Sequence, residues 1–143
     1  MKAKIIDIAL GQVGIKEIAG HVDNPEVLKY FNDTGFDGAA LKDETAWCSA
    51  FMNWVAQKAG AQCSGRLDAQ SWLKVGKETT NPEKGDIAIF WRESPESWKG
   101  HVAIYIRQDA HNIYVLGGNQ KNEVCIMPYS KARLKGFRDI TLW

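Results

Sequence analysis

A cysteine at position 48, a histidine at 101 and an asparagine at 119 each occupy a setting in which that side chain can take part in nucleophilic chemistry. Cys48 lies in "TAWCSAF", residues 45–51, which reads as the first turn of a helix. Cysteine attacks as the thiolate, and its free pKa of about 8.5 must be lowered by a helix N-terminus or a neighbouring imidazole. With Thr45 or the residue before it as N-cap, unpaired N–H groups of the first turn favour an anion at Cys48 and could also hold an oxyanion. The alternative is packing, because free cysteine is among the most buried residue types. Cys48 stands one step round from the apolar face of Trp47, Phe51, Trp54 and Val55, an edge position that suits either role.

The base, if there is one, is His101, which opens a strand directly after Gly100 in "KGHVAIYI". A strand end beside glycine lets a side chain stand free at the rim of a sheet. His111 in "QDAHNIYV" and His21 in "IAGHVDN" are rivals that read more simply as solvated loop residues. A catalytic imidazole needs a third group to fix its tautomer, and Asn119 in "VLGGNQKN" closes the next strand, within reach if the two strands pair. The plainer reading of Gly117-Gly118-Asn119 is a turn. Trp91 and Trp98 bracket the polar "ESPES" insertion before His101, where they line a substrate cleft or form a satellite apolar cluster. Cys63 and Cys125 have neither a helix start nor a paired histidine and are expected to pack. Glu44 is expected to be a solvated loop acid.

These groups must be positioned by the elements around them. Ile5, Ile6, Ala9, Leu10 and Val13 recur at helical spacing over 4–13, with Gly14 as a stop. Asn24-Pro25-Glu26 reads as N-cap, first-turn proline and first-turn acid of a short second helix. Residues 36–44 carry no period and read as a loop. Trp47 to Ala59 is a buried helix stopped by Gly60, and Asp68 caps a short helix that ends near Gly76. Beyond Asn81-Pro82 the period changes to strands at 86–91, 101–107, 112–116 and 123–127, with a weaker one near Phe137. Helices followed by strands predict an α+β fold whose N-terminal helices pack on a C-terminal antiparallel sheet.

Composition narrows the function. The 143 residues suit a single domain, 1–143, and 45% apolar with 24% charged residues is ordinary for a globular chain. A formal net charge of +1 without a basic stripe argues against nucleic acid, and no apolar run is long enough for stable membrane insertion. The N-terminal residues do not resemble a signal peptide, so a cytoplasmic site of synthesis is expected. Three cysteines and three histidines form no tight ligand pair, so neither a metal nor another cofactor is expected. No heptad pattern suggests assembly, and a monomer is expected.

The order "WCSAF", "KGDIAIFW", "GHVAIYI" and a closing asparagine resembles the papain-like cell-wall cysteine peptidases, the CHAP amidases and NlpC-type peptidases, over residues 43–120. The resemblance implies Cys48 as nucleophile, His101 as general base and acid, Asn119 as the orienting residue and Asp86 as part of a structural Gly-Asp turn. Many CHAP members carry a glutamate where this chain has Gly117, which leaves Asn119 alone in that part. It further implies a papain-like fold and cleavage of an amide bond in bacterial peptidoglycan. Small single-domain relatives of this kind are phage endolysins, held in the host cytoplasm and released to the wall, here with no separate wall-binding domain. An antibacterial amidase effector of the same fold, and a catalytically silent wall-binding module, are the alternatives.

Overall fold

Isoleucines and alanines at helical spacing build α1 (Lys2–Leu10), which buries Ile5 and Ala9. The computed structural model describes residues 1–16, 25–36 and 46–143. The loop from 37 onward, the Asn24 and Thr45 caps, His21 and Glu44 lie outside the described residues. The first helix ends three residues earlier than its apolar spacing predicts. Gly14, at φ +95°, donates its N–H to the Val124 carbonyl (2.9 Å), and Val124 donates back to Ile15 (2.9 Å). That bridge to the sheet draws the chain off the helix axis and leaves Leu10 and Val13 about half exposed.

Helix α2 (Pro25–Asn32) contributes Val27, Tyr30 and Phe31 to the core, and α3 (Ala46–Ala59) runs through its centre. Sequence spacing predicts a one-faced α3. In the fold it is buried from Trp47 to Ala56, because α1 and α2 cover one side and the sheet the other. Its Ser49 and Asn53 are satisfied inside, while the buried Trp47 Nε1 has no hydrogen-bond partner among the described residues. The Ser49 hydroxyl donates to the Arg66 carbonyl (2.7 Å) and accepts from Trp72 Nε1 (2.9 Å). Asn53 donates to the carbonyls of Ser49 and Arg66 and accepts from the Gly65 N–H. Buried polar groups that are fully paired fix a geometry rather than weaken it. Here they clamp the chain that leaves α3 back against it. A 3-10 helix (Ala69–Lys74) follows, seating Trp72 in the core. Cys63 is exposed in this connection rather than packed, and Cys125 is only half buried.

Six strands form one antiparallel sheet: β1 (Lys77–Thr79), β2 (Ile87–Trp91), β3 (Gly100–Gln108), β4 (Asn112–Gln120), β5 (Glu123–Ser130) and β6 (Leu134–Asp139). Their order is β1-β6-β2-β3-β4-β5, and the α+β architecture agrees with the sequence reading. Alternate residues of β2 and β3 serve two cores. Ile87, Ile89, Val102 and Ile104 meet the helices, while Ala88, Phe90, Ala103 and Tyr105 join Ile113, Val115 and Phe137 in a second cluster on the other face. Asp86, as the Gly-Asp turn implies, is structural: its Oδ2 accepts from the Glu83 N–H (2.8 Å) and its Oδ1 pairs with Lys2 of α1 (3.1 Å). Lys2 also reaches Glu83 and Asp139, so one ammonium ties the first helix to the start of β2 and the end of β6, which lie side by side.

Two features of the sheet position the chemistry. The β3–β4 ladder has its last pair at Ile104↔Leu116, and β4 then carries a bulge between Gly117 and Gln120. Gly117 and Gly118 thus lie within a strand, not in a turn. A Cβ on Gly118 would stand 2.8 Å from both the Phe51 Cβ and Trp47 Cζ3, so a bare backbone is what admits the start of α3. A Cβ on Gly117 would lie 2.9 Å from Gln120 Oε1.

Candidate active site

Where β3 and β4 part, the first turn of α3 fills the gap. Cys48 is its third residue, and its sulfur receives a backbone hydrogen bond from Val102, the residue after His101. The sequence reading puts Cys48 at a partly open edge, whereas the residue is 1% exposed. The thiol's proton affinity is set by opposing causes. Burial pushes its pKa up; the Val102 hydrogen bond, the Arg92 charge and the N–H groups of Ser49 and Cys48 pull it down without reversing the shift. The helix terminus acts on the sulfur as its position implies, but desolvation is the larger effect. The resting group is the thiol.

His101 is 3% exposed and is held on two sides. Its Nε2 lies 2.9 Å from Gln120 Oε1. The Gln120 amide nitrogen donates to the carbonyls of Cys125 (2.6 Å) and Val115 (3.2 Å), which fixes which end of the amide faces the ring. Only an acceptor can face His101, so Nε2 carries the proton and Nδ1 keeps its lone pair. Tyr129 of β5 stacks on the imidazole with centroids 4.8 Å apart and planes at 17°, and stacks also with Phe90. Burial pushes the Tyr129 phenol well above its ordinary range, so it remains a neutral aromatic wall.

The hydrogen bond expected of Asn119 is therefore the one made by Gln120. The bulge is the cause: Asn119 sits at φ +58°, and the extra residue shifts the strand's alternation so that the side chain after it turns inward. Asn119 lines a cleft of about 280 Å³ that opens beside His101, together with Trp91, Arg92, Lys121, Tyr129 and Arg133. Trp91 lines this cleft, with Nε1 donating to the Ala132 carbonyl (3.3 Å) and Arg133 above its ring. Trp98 is 59% exposed and does not line this cleft. Gln120 and Tyr129 escape a reading by local spacing, since one depends on a bulge and the other on pairing across two strands. The signal for Gln120 was a second amide directly after the asparagine.

Burial lowers the His101 imidazole to about 4 from an ordinary 6.5, with the Gln120 hydrogen bond opposing the shift and the Arg92 charge adding to it. The unfolded chain then binds a proton between those values that the folded chain does not. Stability is expected to fall as pH drops from 6.5 towards 4, by up to about 3 kcal/mol from this residue alone, with the window closed on either side. Urea midpoints of the wild type and His101→Gln at pH 7 and pH 4.5 measure it. An equal loss in both proteins would contradict the assignment.

A family model described as "CHAP domain" matches residues 40–119, more than half of the chain. No curated protein matches the chain by sequence. Among solved structures, a protein described as similar to a lipoprotein of the NLP/P60 family, from Staphylococcus aureus subsp. aureus Mu50, superimposes with a TM-score of 0.59 at 23% identity. The match covers 97% of this chain and 41% of that one, so this fold corresponds to less than half of the larger protein.

Proposed function

The chain belongs to the CHAP domain family, a group of peptidoglycan-related hydrolases, and from that premise we propose that it cleaves an amide bond of bacterial peptidoglycan with Cys48 as nucleophile. The observation that carries this reading is the Gln120 amide, which holds His101 in the one neutral tautomer whose Nδ1 can accept a proton. Nδ1 takes the thiol proton as the sulfur attacks the carbonyl carbon, and the N–H groups of the first turn of α3 face the developing oxyanion. The imidazolium returns that proton to the leaving amine, and water then hydrolyses the thioester. Because thiol and imidazole are both neutral at rest, the proton moves only with attack.

The reading extends to an endolysin role, in which the protein is made in the host cytoplasm and meets the wall after release. The test is digestion of purified peptidoglycan with two product assays. Each cleavage should yield one new amino group and no reducing sugar end. Reducing ends without amines would mean a glycosidase and end the proposal.

A further inference from the structure

A buried imidazole that takes up a proton needs a group to stabilise the charge. At rest His101 is neutral, but once Nδ1 accepts the thiol proton the ring holds a full positive charge at a position 3% exposed. Water cannot solvate it there. A carboxylate is the common partner of such a ring, yet Gln120 is neutral and no Asp or Glu lines the cleft beside it. The Arg92 charge opposes protonation. Of the groups that face the ring, Cys48 of α3 gives up the proton, Gln120 of β4 accepts from Nε2–H, and Tyr129 of β5 covers one face.

Tyr129 reaches that face through the shape of the whole sheet. The ladder pairs Tyr129 with Ile113 and Ile113 with Gln108, at the far end of β3 from His101, so a flat sheet would hold the two residues roughly 20 Å apart. Their ring centroids are 4.8 Å apart, so the sheet curls and brings the end of β5 over the ends of β2 and β3. The single turn Lys131–Arg133 then leads into β6, whose Leu134 pairs with Phe90, the residue opposite His101. Tyr129 lies across both rings, at 17° to His101 and, with centroids 5.0 Å apart, at 24° to Phe90. Phe90 is fully buried and gives the phenol ring a fixed bed. In such offset stacks the π face of the tyrosine, the negative pole of its quadrupole, is turned on the imidazole. A cation within about 6 Å of that face is attracted to it, and more strongly where water is excluded.

We propose that Tyr129 is a positioning residue for the reaction, fixing the plane of His101 and stabilising through its π face the imidazolium that forms as Cys48 attacks. This rests on the hydrolase reading. The proton passes from the Cys48 sulfur to Nδ1 while Nε2 keeps its own, and the charge leaves the ring when that proton is returned to the departing amine. The neutral resting ring gains less from the face than the charged one does, which is the condition for an effect on rate. The ring acts here, and its hydroxyl does not.

The test changes the electrons of the ring and leaves its shape nearly intact. Phenylalanine and its mono-, di- and trifluorinated forms are placed at position 129 of the whole chain. Amine release from peptidoglycan is measured beside the titration of His101, followed by NMR of its ring protons. Fluorine withdraws density from the π face, so kcat should fall about twofold with each fluorine at an unmoved KM, and the imidazole should become harder to protonate at every step. Tyr129→Phe should stay within about threefold of the wild type, and Tyr129→Leu, which offers no face, should lose about 10- to 30-fold in kcat. If the leucine variant does not fold, the fluorinated series decides. A flat series, in kcat or in the titration, overturns the proposal, because packing alone tolerates the fluorines. A decline confined to KM overturns it too, since the ring would then be a wall for substrate. So does a loss above about tenfold in Tyr129→Phe, which would give the role to the hydroxyl. A wild type that releases no amines would overturn the hydrolase reading, and the titration across the series would still decide the stack.

Discussion

Replacing Cys48 with alanine is expected to lower amine release from peptidoglycan by at least about 10³-fold, because removing a covalent nucleophile leaves only binding and oxyanion contacts to assist water. The protein should stay folded. Cys48 is 1% exposed, but the change removes one sulfur, a cavity worth on the order of 1 kcal/mol. A circular-dichroism melt beside the activity assay separates the two effects. More than a tenth of wild-type activity in a folded Cys48→Ala protein would mean that the sulfur is a packing atom after all.

The second large effect belongs to Gln120. Its leucine variant removes the acceptor of the His101 Nε2–H and strips the Val115 and Cys125 carbonyls of their donor. Losing control of the tautomer costs about 10²- to 10⁴-fold in kcat, by analogy with other imidazoles deprived of an orienting partner. Leaving three buried groups unpaired costs stability as well, about 1–3 kcal/mol for each. Gln120→Glu keeps an acceptor at Nε2 but adds a negative charge beside the ring. It should raise the imidazole's proton affinity and move the acid limb of kcat/KM upward from about 4. Asn119→Gly preserves the left-handed backbone and removes an amide from the cleft wall, so its loss should appear in KM and stay below about tenfold. A larger loss of kcat in Asn119→Gly than in Gln120→Leu would return the orienting role to the asparagine.

Much of this fold was legible in the chain. Apolar spacing and glycine stops located α2 and α3, and the change of period after Asn81-Pro82 marked the strands. That the strand opened by His101 pairs with the next one was legible too, since strand pairing needs no more than a short loop between neighbours. What escaped was set by packing between distant segments. The burial of α3 on all sides depends on α1, α2 and the sheet together, so a face read from α3 alone understates it. Strand β1, three residues long, exists because β6 offers it an edge, and carries no period of its own. The bulge at 117–120 leaves no trace in an alternating pattern, yet it decides which of two adjacent amides meets the imidazole. Trp98 showed the opposite error: its neighbourhood in sequence to His101 did not become neighbourhood in space.

The buried, protonated state of Cys48 has one more consequence, for durability under oxidants. Peroxides and disulfides react with thiolates that they can reach, and Cys48 at rest is neither ionised nor exposed. Cys63 is the exposed thiol, and it lies in the connection after α3, away from the cleft. Burial raises the Cys63 thiol too, so it is by accessibility alone that oxidative damage should fall there first and spare the cleft. Under the proposed reaction the sulfur gives up its proton only as it bonds to the carbonyl carbon, so turnover would release no free thiolate and resistance to oxidants would not decline as substrate is processed.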